Sequence, residues 1–253
     1  MLSTINNFDS LYIPDNIKKN DLDYLMDEFS FKNIYVSPNN KYFSTIDNKM
    51  IVGKSDLNKE EFDDLIFACC DIENIIIPSS IKQISSYCFK FCKKLKTVEF
   101  SENSQLTYIG KNAFHELLIK SIKIPKHVKI IDDDAFSYCN ELHSIDFEED
   151  SELEFIGKNS FSCILIEKIT IPKNIKKIDE NAFRSCENLQ IIDLSENSEL
   201  EFVGKEAFNN ANIIQIKGTS FMNKFFEIKD KMIFCKSKEN EECFDTLLFA
   251  CRD

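Results

Sequence analysis

Polar and apolar residues alternate in the same order five times. In LKTVEF (95–100), IKSIKI (119–124), LHSIDF (142–147), IEKITI (166–171) and LQIIDL (189–194), the first, fourth and sixth positions are apolar and the others mostly polar. The last three residues of each have the period of a strand with one buried face. The central strand residue recurs at Ile75, Val98, Ile122, Ile145, Ile169, Ile192 and Ile216, in steps of 23 or 24. A second marker, the phenylalanine of an Ala-Phe-like pair, falls at Phe89, Phe114, Phe136, Phe161, Phe183 and Phe208, in steps of 25 and 22. The unit is therefore about 23 residues, and two alternating flavours give a super-period of 47. One flavour carries Ile-Pro (Pro78, Pro125, Pro172), and the other carries S-x-L-x-[YF]-[IV]-G-K at 104–111, 151–158 and 198–205. No single unit can bury its apolar stripe alone, so the units must stack, each strand pairing with the next copy in a parallel ladder.

Between the short [IV]-G-K or I-D segment and the next strand there is room for about one helical turn or an irregular return, with the phenylalanine turned inward. Asp132, Asp179 and the Gly-Lys pairs read as turn or helix-start chemistry. The first residues fit the same template in worn form. IPDNIKKNDLDYLMDEFSFKNIYVS (13–37) aligns without gaps to IPKNIKKIDENAFRSCENLQIIDLS (171–195), with Asn20 in place of an inward Ile and Glu28 in place of Cys186. A more polar first unit suits the end of a stack, which meets water. A longer echo joins FSTIDNKMIVGKS…FDDLIFAC (43–69) to FFEIKDKMIFCKS…FDTLLFAC (225–251), and each copy reads as two or three short strands. The expected organisation is a capping repeat at 1–36, a β-hairpin insertion at 37–71, the repeat array at 72–218, and a second hairpin segment at 219–253. The last is either a C-terminal cap or the point where a longer array was cut.

The ordered run of I-P, I-x-x-I, A-F-x-x-C and L-x-x-I-x-L, as in IPKNIKKIDENAFRSCENLQIIDLSENSELEFVGKEAF (171–208), closely resembles the BspA-like class of leucine-rich repeats. The resemblance is strong over 72–218 and looser over the hairpins and the first unit. It implies a leucine-rich-repeat solenoid: a parallel β ladder with short helical or irregular returns and β-hairpin insertions. That class, found in mucosal bacteria and anaerobic protists, is associated with surface proteins, adhesion and immune recognition. Carried over, this implies a non-enzymatic binding module at the cell surface or outside the cell, with a host-matrix or cell-surface protein as partner. An intracellular scaffold using the same surfaces is the alternative reading.

Composition bears on that choice only in part. The net charge of −12 argues against a general nucleic-acid or anionic-membrane binder, which needs clustered Lys and Arg. The sequence predicts no membrane insertion, having no run of 18 apolar residues. The N-terminus lacks the basic start and apolar core of a secretory signal. With no signal or anchor visible, a cytoplasmic location is the alternative to the surface.

Ten cysteines invite a chemical reading. Cys92, Cys139 and Cys186 recur at A-F-x-x-C every 47 residues, two units apart and so roughly 10 Å along a ladder that rises about 4.8 Å per strand. A disulfide needs Cα atoms within about 7 Å, so these read as small core residues, as do Leu117, Ile164 and Ala211 in the other flavour. The remaining cysteines show no paired zinc spacing, and neither metal nor cofactor is expected. Cys139 and His143 are four apart, but one belongs to the inward ladder and the other to an outward strand position, so no catalytic pair is expected. Glu102, Glu149 and Glu196 form a carboxylate row too sparse for calcium.

Two outward rows remain as candidate binding surfaces. The strand face comprises Lys120, Lys123, His143, Asp146, Glu167, Lys168, Thr170, Gln190, Ile191, Asp193, Ile214 and Gln215. The aromatic row comprises Tyr108, Phe155 and Phe202 with Ile130, placed outward by alignment with Gln83 and Lys177.

Overall fold

The computed structural model describes residues 6–18, 21–22, 29–194, 198–217, 226–229, 232–235 and 246–250. Asn20, Glu28 and the side chains of 219–253 lie outside the described residues. β1 (Asn6–Ile13) pairs in parallel with β2 (Phe29–Val36), Asn6 facing Phe29. β3 (Phe43–Ile46), β4 (Met50–Gly53) and β5 (Asp64–Ala68) then form an antiparallel meander.

From there long and short strands alternate. The chain runs through β6 (Asn74–Ile77), β7 (Gln83–Ile84), β8 (Thr97–Phe100), β9 (Tyr108–Ile109), β10 (Ser121–Ile124) and β11 (Ile130–Ile131). It continues through β12 (Ser144–Phe147), β13 (Phe155–Ile156), β14 (Lys168–Ile171), β15 (Lys177–Ile178), β16 (Ile191–Leu194), β17 (Phe202–Val203) and β18 (Gln215–Lys217). β19 (Phe226–Lys229), β20 (Met232–Cys235) and β21 (Thr246–Ala250) repeat the antiparallel meander, bulge included, with Ile51/Val52 and Ile233/Phe234 as the displaced pairs.

The solenoid is walled by two parallel ladders, not one. The short strands join the meander in a nine-stranded sheet ordered β17-β15-β13-β11-β9-β7-β5-β4-β3, so β5 seeds the ladder through Asp64 facing Gln83. The long strands form three separate sheets, β6–β8, β10–β12 and β14–β16–β18. Proline follows β6, β10 and β14, where its missing N–H ends pairing.

The returns are irregular, and among the described residues from 72 to 217 they carry no helix, the helical Asp21 and Leu22 lying in the first unit. Left-handed backbone recurs four residues apart at Asn112 and Glu116, Asp134 and Tyr138, Asn159 and Cys163, Asn181 and Ser185, and Glu206 and Asn210. Such residues break a helix and leave alternate N–H groups pointing along the stack. Those groups are satisfied by the next turn: Phe114 N–H donates to Ala135 O at 2.8 Å, Phe136 to Ser160 O at 2.7 Å, and Phe161 to Ala182 O at 2.8 Å. This is a third run of inter-repeat hydrogen bonds, made without strand geometry.

The three sides enclose one apolar column. Phe89, Phe114, Phe136, Phe161, Phe183 and Phe208 stack face to face, with successive centroids 4.8, 4.9, 5.3, 5.4 and 5.3 Å apart. Cys92, Cys139 and Cys186 are fully buried beside them as free thiols. Cys139 Sγ donates to Phe114 O at 3.0 Å, and Cys186 Sγ to Phe161 O at 3.1 Å. Burial pushes the Cys139 and Cys186 thiols up to about 12 and Cys92 higher still.

A folded-state value above the ordinary 9.0 means full stability below that pH and a progressive loss above it, as unfolding releases thiolates. The expected outcome is that these three thiols resist a disulfide-exchange reagent at pH 8 in the folded protein and react at once in denaturant. Among the described cysteines, half-buried Cys70 and Cys163 would react first. Rapid native labelling of Cys92, Cys139 or Cys186 would contradict the inward assignment.

Candidate functional site

Because inward positions of each long strand are fixed by the core, the alternate positions face outward in rows. β10 buries Ile122 and Ile124 and exposes Ser121 and Lys123, and β14 buries Ile169 and Ile171 and exposes Lys168 and Thr170. Of the twelve strand-face candidates, Ile191 and Asp193 are half-buried, and the other ten are exposed. Register brings them together across repeats: Lys123 faces Asp146, Lys168 faces Ile191 and then Gln215, and Thr170 faces Asp193. Lys120, His143, Glu167, Gln190 and Ile214 lie just before their strands and extend the same surface. Lys168 Nζ lies 3.1 Å from Asp193 Oδ2, Lys123 Nζ lies 3.8 Å from Glu148 Oε1, and Ser144 Oγ donates to Asp146 Oδ2 at 3.2 Å. Exposed pairs of this kind add little stability, so the face can vary without disturbing the core.

The second row lies on the short-strand ladder. Gln83, Tyr108, Ile130, Phe155, Lys177 and Phe202 stand in register on successive strands. Ile130 and Phe202 are exposed, while Tyr108 and Phe155 are half-buried. The Tyr108 hydroxyl donates to the Asp132 carboxylate, and burial together with that bond raises its pKa. Lys177 Nζ lies 5.2 Å from the Phe155 ring centre and 5.3 Å from that of Phe202, while keeping an ion pair of 2.8 Å with Asp179. The row is thus an aromatic–cation–aromatic stripe, partly covered by its own lysine.

Other chemical candidates are kept apart. Cys139 is sealed in the core, whereas His143 is exposed on the strand face. Glu102 and Glu149 are exposed turn residues, and Glu196 lies outside the described residues. Among the described residues no group of His, Cys, Asp and Glu is arranged to hold a metal ion, and no helix is long and apolar enough to cross a membrane.

Six copies of a BspA-type leucine-rich repeat region match this chain, over residues 26–139 and 107–240. The chain belongs to the BspA-type leucine-rich repeat family. Proteins built on such solenoids are typically non-enzymatic. No curated protein matches the chain. Among solved structures, a leucine-rich repeat protein from Eubacterium ventriosum superposes with a TM-score of 0.60 at 20% identity, over 85% of this chain and 61% of that one. The pneumococcal vaccine antigen PcpA (TM-score 0.37, 18% identity, 70% and 58% covered) and a leucine-rich repeat protein from Bacteroides ovatus (0.37, 18%, 83% and 60%) superpose too loosely to carry an argument. The chain spans about three fifths of the length of these structures.

The sequence reading of this BspA-type array missed one feature of its surface. The long-strand ladder stops between β8 and β10 and again between β12 and β14. Both breaks fall at 24-residue steps, yet β16 and β18 are also 24 apart and remain paired. Spacing alone therefore does not mark the breaks.

Proposed function

We propose that this chain is a non-catalytic protein-binding module of the surface-protein type, engaging a host-matrix or cell-surface protein through its long-strand face. The observation that carries the reading is the register of that face. Side chains the core does not need stand in aligned rows across successive repeats, with Lys, His, Asp, Glu and Thr interspersed with exposed Ile76 and Ile214. A mixed polar surface with isolated apolar points suits a protein partner. Membership of the BspA-type family supports the surface setting. The aromatic stripe is the second candidate on the same molecule, and exposed Phe202 and Ile130 favour it.

The test is adhesion of beads carrying the protein to cell-derived extracellular matrix. Three proteins are compared: the parent, a strand-face variant (Lys123→Glu, His143→Ala, Thr170→Lys) and a stripe variant (Tyr108→Ser, Phe155→Ser, Phe202→Ser). Each is first checked for an unchanged circular dichroism spectrum. The expected outcome is adhesion lost about tenfold or more in the strand-face variant, as when central interface residues are changed. Loss only in the stripe variant would move the site to the other ladder. Adhesion unchanged in both would overturn the reading.

A further inference from the structure

Resting on that reading, we propose that the seam between β12 and β14 is the recognition groove, and that its occupant is an extended segment of a partner protein carrying basic side chains. The long strands part here, while the short strands on the opposite side stay paired through the same step, from β11 to β13 to β15. Leu165 N–H still donates to Leu142 O at 2.9 Å just before the strands, and Ile145 and Ile169 stay buried, so the core is closed and the opening is a surface groove on this one face. Two adjoining cavities fill the opening, one of about 400 Å³ and one of about 520 Å³, and Ile145, Asp146 and Thr170 line both. Five of the twelve strand-face candidates (His143, Asp146, Glu167, Lys168 and Thr170) converge on this one place.

Charge decides the occupant. The first cavity is lined by Asp146, Glu148 and Asp150 against Lys173, and the second by Asp146 and Glu167 against Lys168. Lys168 is already engaged 3.1 Å from Asp193 on the far side. Glu148 accepts a hydrogen bond from Lys126 N–H at 3.0 Å, but the nearest lysine ammonium groups to Glu148 and Asp150 are Lys123 at 3.8 Å and Lys126 at 3.9 Å. The seam carries an excess of carboxylate, which attracts Lys and Arg and repels acidic chains. Where a ladder stops, strand edges are also the places where an extended chain finds backbone partners. Alternate side chains of such a segment then reach into the two cavities in turn.

The probe is a fluorescein-labelled octapeptide of alternating Val and Lys, with an alternating Val and Glu octapeptide beside it, followed by anisotropy in the intact chain. The Lys peptide is expected to bind saturably, and to weaken about tenfold or more in Asp146→Asn/Asp150→Asn/Glu167→Gln. The control Glu60→Gln/Glu99→Gln/Glu102→Gln removes as much charge away from the seam, and its binding should stay near that of the parent. No saturable binding, equal binding of the Glu peptide, or an equal loss in the control would overturn the proposal. Bead adhesion separates the two levels. If adhesion needs the strand face but the Lys peptide does not bind, the groove assignment falls and the binding-module reading stands. If no strand-face substitution alters adhesion, both fall.

Discussion

Phe136→Ala is expected to lower the stability of the folded chain by about 3–5 kcal/mol, the usual cost of removing a fully buried phenylalanine ring. For a protein of this size that is a melting temperature lower by roughly 6–20 °C. Phe136 is fully buried, and its ring is stacked 4.9 Å from Phe114 and 5.3 Å from Phe161. Truncation leaves a cavity and ends two stacking contacts at once. In a stack where each unit touches only its neighbours, that gap also uncouples the repeats on either side. Phe208→Ala provides the comparison. Phe208, stacked 5.3 Å from Phe183, is slightly exposed where Phe136 is fully buried, so its loss should cost less and leave the central transition sharper. Thermal unfolding followed by circular dichroism checks both, and a Phe136→Ala variant that melted like the parent would remove the column from the account.

Gly157→Ala should be nearly as costly, for a different reason. A Cβ at Gly157 would lie 2.6 Å from the carbonyl carbon of Asp132 and 2.6 Å from the nitrogen of Asp133. Both are backbone atoms of the previous turn and cannot rotate away. Gly157 N–H already donates to Ile131 O at 2.8 Å, so moving apart would break the ladder. The expected loss is about 3 kcal/mol, the upper part of the overpacking range, read from the shift of a urea midpoint. Gly53→Ala is the control. Its Cβ would meet Ile66 Cδ1, the end of a side chain that can turn aside, and a cost of about 1 kcal/mol is expected. Equal effects at the two glycines would show that the backbones are less closely approached at Gly157 than described.

These two positions also show how far the sequence could be read. The inward column was legible because burial imposes the same letter at every turn, and Phe89 through Phe208 keep their places whatever surrounds them. The family resemblance and the solenoid followed from that regularity. The Gly-Lys pairs read as turn chemistry, yet the structure gives Gly110, Gly157 and Gly204 another purpose. Each passes against the backbone of the preceding turn at Ser85, Asp132 or Asp179, where the other flavour keeps a side chain. This gives a physical reason for the 47-residue alternation, since only every second turn makes the close approach. A short helical turn was equally compatible with the length of each return. The paired left-handed residues that exclude it are held by hydrogen bonds to the next turn, which no local pattern reveals.

The candidate site was legible only as far as orientation. Alternation along the strands identified which residues face outward, because that follows from the core. It did not reveal that Lys177 would lie over Phe155 and Phe202, a contact made between repeats 22 and 25 residues apart. Nor did it reveal the opening between β12 and β14. That depends on how successive turns settle against one another, and the same 24-residue step is paired at β16–β18.

The most direct test of the account is display. Antibodies raised against the folded chain should be applied to intact and to permeabilised source cells in parallel. The account predicts staining of intact cells, with little gained on permeabilisation, because a surface-type binding module must meet its partner outside. Staining that appears only after permeabilisation would contradict it, and would assign the strand face to an intracellular scaffold instead.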